Sequence, residues 1–165
     1  MYRGQDLIYL NLNLWEWVKG TIDKICLAEP ITISEWNGAW ERTYFELGGK
    51  KRSSGTKGCP KKAAYTLYYL GRITGTNRPC LDWSYQKIKN ELSKNGVYAI
   101  LAVELLKKDP DLNLHDLWLR IKEKYKTELN DEPAESNQGG STVAFKLFHN
   151  KKLISQCQLK TDKSQ

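Results

Sequence analysis

Trp36, Trp40, Tyr44 and Leu47 recur every three or four residues after Ser34, and Gly48-Gly49 cuts the run. That spacing lines large apolar side chains along one helical face and conflicts with the two-residue alternation of a strand. The same signal returns along the chain. Ala63, Ala64, Leu67, Tyr68 and Leu70 follow Pro60, which suits a first helical turn, and stop at Gly71. Tyr98, Ile100, Leu101, Val103, Leu105 and Leu106 follow Ser93 or Asn95 as N-cap, and Pro110 ends them. Leu114, Leu117, Trp118, Ile121 and Tyr125 give another helix from about Asn113 to Lys126, and Ser141 is expected to cap a last one through Val143, Ala144, Leu147 and Phe148. A short helix is expected from about Trp83 to Leu92, after a loop over 74–82.

The first segment carries two patterns. Leu10 to Leu14 alternates like a strand, whereas Leu7, Leu10, Leu14 and Trp17 share a helical stripe. The wider window favours a helix from about Asp6 to Lys19, with Asp6 as N-cap and Gly20 as its stop. Nothing convincing is left for a sheet. The expected fold class is all-α, a single helical domain over 1–155 with a flexible tail over 156–165.

At 165 residues the chain can bury one good core, or two very small ones sharing an interface. No apolar run approaches the roughly 20 residues that span a bilayer, and the start lacks the clean apolar block of a secretory signal. A cytoplasmic address without membrane contact is the expectation. Cys26, Cys59, Cys80 and Cys157 stand far apart with no zinc-ligand spacing, so they read as four free thiols, and neither a metal nor a cofactor is expected.

Two stretches echo each other. Trp40-Glu41-Arg42, a Gly-rich linker, Ala64-Tyr65-Thr66-Leu67-Tyr68 and Arg72-Ile73 parallel Trp118-Leu119-Arg120, a linker, Ala144-Phe145-Lys146-Leu147-Phe148 and Lys152-Leu153. The Trp-to-Ala separations are 24 and 26 residues. The expectation is two pseudo-repeated three-helix units, about 6–75 and about 93–154, packed together because one unit alone has too little core. The alternative is two amphipathic helix pairs that share a period by chance.

Lys57-Gly58-Cys59-Pro60-Lys61, with Ala64, Leu67, Gly71, Ile73 and Gly75, and then Tyr98-Ala99-Ile100-Leu101-Ala102-Val103-Glu104-Leu105-Leu106 resemble an uncharacterised family of small bacterial helical proteins. Its marks are a Trp-bearing helix, a Lys-x-Cys-Pro-Lys segment and a Tyr-Ala-x-x-Ala-Val-x-Leu-Leu helix. The resemblance runs from Trp40 to Leu147. It implies a bacterial or phage-type helical domain and transfers no function.

Chemistry concentrates in Lys50 to Lys62, which holds six cations and no acid in thirteen residues; without it the net charge of +7 would fall to +1. The segment leads into a helix start, where free N–H groups and the helix dipole favour anions, and its small residues let a phosphate close to the backbone. Lys50, Lys51, Arg52, Lys57, Lys61, Lys62 and Arg72 are the candidate nucleic-acid contacts, extended by Arg78 and Lys151-Lys152. The bland reading is a solvated loop with basic flanks. It is not a Walker A loop, because the Gly-x-x-x-x-Gly-Lys-Ser/Thr order and a preceding strand are missing. A helix-turn-helix would need a turn of three to four residues, and this linker is about ten or more.

Cys59 sits beside Lys57, Lys61 and Lys62, yet neither His115 nor His149 is tied to it by spacing, so it reads as a packing or capping residue. Glu41, Glu46, Asp82, Glu91, Glu104 and Asp116 are dispersed, and Glu104 is expected on an exposed side. No catalytic residue is assigned. Residues 127–140, carrying Glu128, Asp131, Glu132 and Glu135, are expected to be mobile and either to contact a protein or to cover the basic face. DNA or RNA is thus the expected partner of a non-enzymatic protein, and a bacterial or phage accessory or anti-defence factor fits the size and charge. The alternative is a protein-interaction or inhibitor module using exposed rings among Trp15, Trp36, Trp83, Tyr69 and Tyr85.

Overall fold

A computed structural model describes residues 6–25, 31–136, 139–154 and 157. Cys26 and most of the expected tail lie outside them. The fold is all-α apart from one short hairpin: β1 (Ile8–Tyr9), β2 (Leu12–Asn13), α1 (Leu14–Ile25), α2 (Ile33–Glu46), α3 (Arg52–Gly55), α4 (Gly58–Tyr69), α5 (Tyr85–Glu91), α6 (Lys94–Lys108), α7 (Leu114–Leu129) and α8 (Gly139–His149).

The centre is built by α4, α6 and α8, each packed on the other two. Their facing residues, among them Ala63, Ala64, Leu67, Ala99, Ala102, Ala144 and Leu147, are almost wholly buried, and the run of alanines lets the backbones approach closely. The α1–α2 pair lies on one side, and α7 and α5 pack on α6. Aromatic rings join these layers. Trp17 stacks on Trp40 with centroids 4.3 Å apart, and Trp36 lies 6.1 Å from Trp40 and 5.4 Å from Tyr68. On the other side Tyr98 meets Trp118 at 5.1 Å and Tyr125 at 5.2 Å. Most of the large aromatics are therefore spent on the core.

The start of the chain departs from the expected helix. β1 pairs antiparallel with β2 through Tyr9 and Leu12, and Leu10 and Asn11 take φ of 51° and 68°. Two successive left-handed residues make the tight hairpin turn that suits asparagine. Asn13, not Asp6, then caps α1, its Oδ1 accepting the Glu16 N–H at 2.9 Å. Gly20 does not stop α1. It lies at the crossing with α2, where a Cβ would come 2.7 Å from Thr43 Cγ2.

Other boundaries shift for local reasons. Thr32, rather than Ser34, caps α2 through the Glu35 N–H. The basic linker is interrupted by α3. Ser84, Ser93 and Asn113 cap α5, α6 and α7 by the same side-chain-to-backbone bond, whereas Ser141 falls inside α8 and is buried.

The ends of α4 and α8 follow one pattern. Leu70, Gly71 and Arg72 N–H bond to the carbonyls of Thr66, Tyr68 and Leu67; Asn150, Lys151 and Lys152 N–H bond to those of Lys146, Phe148 and Leu147. Gly71 and Lys151 both take left-handed φ, of 74° and 61°. Ile73 and Leu153 then face each other in an antiparallel bridge, where Thr74 N–H donates to Lys152 C=O at 2.9 Å and Ile154 N–H to Arg72 C=O at 2.7 Å.

The thiol expectation is corrected here: Cys80 is bonded to Cys157, 77 residues away. Crossing of the two helix ends brings together residues that their spacing had kept apart. Among the described residues, no helix is long and apolar enough to cross a membrane.

Candidate nucleic-acid interface

Tyr44 fixes the start of the basic segment. Its ring is buried beside Trp17 at 5.2 Å, its hydroxyl accepts the Lys51 N–H at 3.2 Å, and Gly49 and Gly55 lie so close that a Cβ on either would meet the ring at 2.3 or 2.5 Å. The loop therefore wraps one aromatic side chain and turns into α3, where the Thr56 hydroxyl donates to Arg52 C=O at 2.9 Å. From this anchor Lys50, Lys51 and Arg52 stand exposed, as do Lys57 just before α4 and Lys62 in its second turn. Lys62 folds back over the helix start, its Cε 4.0 Å from where a Gly58 Cβ would lie.

None of these five cations forms an ion pair with a described carboxylate. Of the three acidic residues of the neighbouring α2, Glu41 is engaged by Lys61 at 3.2 Å and Glu46 by Lys24 at 2.7 Å, while Glu35 stands in its first turn and accepts from the Thr32 hydroxyl. No side chain caps α4, so its dipole adds positive potential to the same region. Close lysines and arginines left without counter-charges are an open attraction for a polyanion.

Two of the seven sequence candidates are elsewhere. Lys61 is only 8% exposed and turned to Glu41, and its carbonyl receives the Trp36 Nε1–H at 3.0 Å. Arg72 is 4% exposed; its Nη1 donates to Leu81 C=O at 3.2 Å and lies 3.1 and 3.2 Å from the sulfurs of Cys80 and Cys157. Burial pulls its pKa below the ordinary guanidinium value, against the raising influence of Asp82 and Glu104. Of the flanking cations, Arg78 is spent on Tyr69 C=O and the Tyr69 ring, and Lys152 lies over Trp15 at 4.8 Å, while Lys151 is exposed.

The acidic segment does not behave as expected. Residues 127–129 belong to α7, and 130–136 are fastened to the α5–α7 side. Asp131 receives the Tyr125 hydroxyl at 2.7 Å and pairs with Lys89 at 3.0 Å and Lys94 at 3.8 Å. Glu132 pairs with Lys126 at 3.0 Å, and Ala134 N–H donates to the Tyr98 hydroxyl at 2.9 Å. Hydrogen bonds from Tyr125 and Lys89, with the charges of Lys89 and Lys94, hold the Asp131 carboxyl down at about 2. This segment neutralises lysines of its own neighbourhood instead of covering the basic loop. Glu104 is likewise half-buried and accepts the Tyr85 hydroxyl.

Helix-turn-helix docking is excluded by burial. α4 would be the recognition helix, but Pro60, Lys61 and Ala63 to Tyr68 are all buried, so no face is free to enter a major groove.

Sequence reasoning missed a cleft of about 840 Å³ lined by Asp6, the Pro110–Leu114 turn, Phe145, Lys146 and His149. Lys146 Nζ holds Asp6 at 3.1 Å, and burial lowers the His149 pKa below its usual value. The residues meet only through the fold, and no spacing signalled them. A smaller groove of about 270 Å³ lies between Ile31, Ile33, Tyr65, Tyr69, Trp83 and Leu92. Of the five rings suggested for a hot spot, Trp36 is fully buried and Trp15, Tyr69, Trp83 and Tyr85 are half-buried. Among the described residues no group of three or more His, Cys, Asp or Glu gathers as metal ligands would.

Fold and surface together define a compactly packed helical protein with a cationic loop at a helix start that none of the described carboxylates neutralises. The chain belongs to DUF6979, a family of unknown function, whose model matches residues 19–138. No curated protein and no solved structure shows a significant match to it.

Proposed function

We propose that this protein is a non-enzymatic nucleic-acid-associated factor that binds phosphate backbone through Lys50, Lys51, Arg52, Lys57 and Lys62. One observation carries the reading: five exposed cations within thirteen residues have no ion-pair partner among the described carboxylates. Arg72 and Lys61 drop out of the contact set because their charges are spent inside the fold. A bacterial or phage accessory role belongs to the same proposal, as does the duplication, in which only the first unit would carry the binding loop.

The test is charge reversal at Lys51, Arg52, Lys57 and Lys62, leaving Lys61 in place so that the α2–α4 contact survives. Five phosphate contacts give a log–log salt slope of about −3.5 on a single strand and about −4.5 on a duplex. The wild-type chain should show a slope of that order. The variant should bind at least tenfold more weakly, with a shallower slope. Unchanged affinity of a folded variant refutes the reading.

A protein-interaction module is the second reading, and the groove beside Trp83 favours it. The two separate cleanly. If Trp83→Ala leaves salt-sensitive binding intact while charge reversal abolishes it, the groove is not the nucleic-acid site.

A further inference from the structure

We infer that the cationic loop takes single-stranded rather than duplex nucleic acid, and that Phe45 is the ring on which an unpaired base stacks. The inference rests on the phosphate-binding reading above and names the ligand class of the same surface.

Phe45 is 45% exposed, and it is the one aromatic among the large hydrophobic residues that stand exposed in the described chain. In a molecule that buries or half-buries its other described Phe, Tyr and Trp rings, the exception shares a packing partner, Tyr44, with the loop whose cations no described carboxylate pairs. The neighbourhood is fixed by Tyr44. That ring packs edge-on with Phe45 at 5.1 Å, and its hydroxyl holds the backbone of Lys51. Phe45, Lys50, Lys51 and Arg52 are thereby gathered around one buried anchor. Leu47, 37% exposed, continues the apolar strip, and Gly48 follows at φ +101° with open space where a Cβ would be. A strand can approach the backbone closely there.

The combination of a stacking ring with a row of cations is what a single strand uses, since every unpaired base offers a π-face while its phosphates follow the positive charge. A duplex hides those faces, and Phe45 would contribute nothing to it. Duplex reading also calls for a helix or ribbon in a groove; α4 is buried, and α3 has only four residues. Anionic lipid attracts the same residue types, but interfacial anchoring draws on a broad apolar helix face. Here Phe45 and Leu47 are the exposed apolar pair at the loop, and the buried stripe of α2 is committed to the core.

The experiment measures fluorescence polarisation of the full chain with a labelled single-stranded oligonucleotide of about 15 nucleotides, enough for one stacking groove, and with the blunt duplex of the same sequence. The single strand should bind more tightly. Phe45→Ala, on an exposed position that leaves folding intact by circular dichroism, should weaken the single strand about tenfold, within the range of one lost base stack. It should leave the duplex unchanged, and Phe45→Trp should restore single-strand affinity. Photocrosslinking to a bromouridine-containing strand should mark the peptide that carries Phe45. Equal affinity for both forms, or an unaffected Phe45→Ala variant, overturns the inference but leaves phosphate binding standing. Binding to neither overturns both. Phe45-dependent binding to phosphatidylserine vesicles without oligonucleotide binding assigns the surface to lipid and also overturns both.

Discussion

Gly96 of α6 rests so closely on Thr66 of α4 that a Cβ on the glycine would lie 2.2 Å from the threonine Oγ1 and 2.9 Å from its Cβ. Thr66 is fully buried and cannot swing away. Alanine at position 96 would gain up to about 1 kcal/mol of helix propensity, yet overpacking a tight crossing costs about 1–3 kcal/mol. Gly96→Ala is therefore expected to be destabilising in denaturant unfolding. Thr66→Ala in the same chain should recover much of the loss, because the hydroxyl it removes has no hydrogen-bond partner.

Trp17 and Trp40 stack, but only one of their indole N–H groups is satisfied. Trp17 Nε1 donates to Trp40 C=O at 2.9 Å, while Trp40 Nε1 is buried without a partner. Both phenylalanine substitutions shrink a ring. Trp17→Phe also removes a buried hydrogen bond, at about 0.5–1.5 kcal/mol, although Trp40 C=O keeps its place in the α2 ladder. Equilibrium unfolding should show Trp17→Phe as the more damaging of the two; equal effects would contradict the assignment.

The Cys80–Cys157 bridge closes a span of 77 residues. Chain-entropy arguments give a cross-link of that span an upper contribution of about 4.5 kcal/mol. Cys157→Ser should lower the unfolding midpoint, and added reductant should lower that of the wild type but not of the variant. Peptide mapping under non-reducing conditions should recover the two cysteines in one linked pair.

Asp131 sets an acid limit on the segment it anchors. Its carboxyl titrates at about 2 in the folded chain, against 3.8 ordinarily. A lowered folded pKa gives stability that is complete above 3.8 and is lost as pH falls towards 2. Amide exchange at Ala134, corrected for its intrinsic pH dependence, should lose protection across that window. Asp131→Asn should flatten the response, and protection that persists unchanged at pH 2 would contradict it.

Long helices were legible because their stripes repeat over several turns and their caps are local: Ser93 and Asn113 start α6 and α7 by bonds that span three residues. Four features were not. The hairpin places Leu10, a residue with no turn signal, in a left-handed conformation. α3 has no apolar stripe; it is held by packing of Gly55 on Tyr44. The disulfide depends on two helix ends crossing, and the acidic segment is ordered by lysines that lie far off in sequence. Within the candidate site, Lys61 carried a readable warning, since it shares its helical face with Ala64, Tyr65 and Tyr68, all buried. Arg72 did not, because only the fold puts it beside the cysteines. Phe45 was hidden by its partner Tyr44, whose place in the stripe drew attention to the inward face of α2.

Thr74 and Ile154 each donate an amide proton to the other segment's chain, on either side of the Ile73–Leu153 bridge. Neither bond can open alone without pulling on the other, so a helix from the front of the chain and one from its rear are latched by a single closure. Solvent should reach both protons in the same fluctuation, and although the last turn of α4 closes on its own carbonyls, the residues that follow it would have to await the arrival of the late half before Thr74 finds its acceptor.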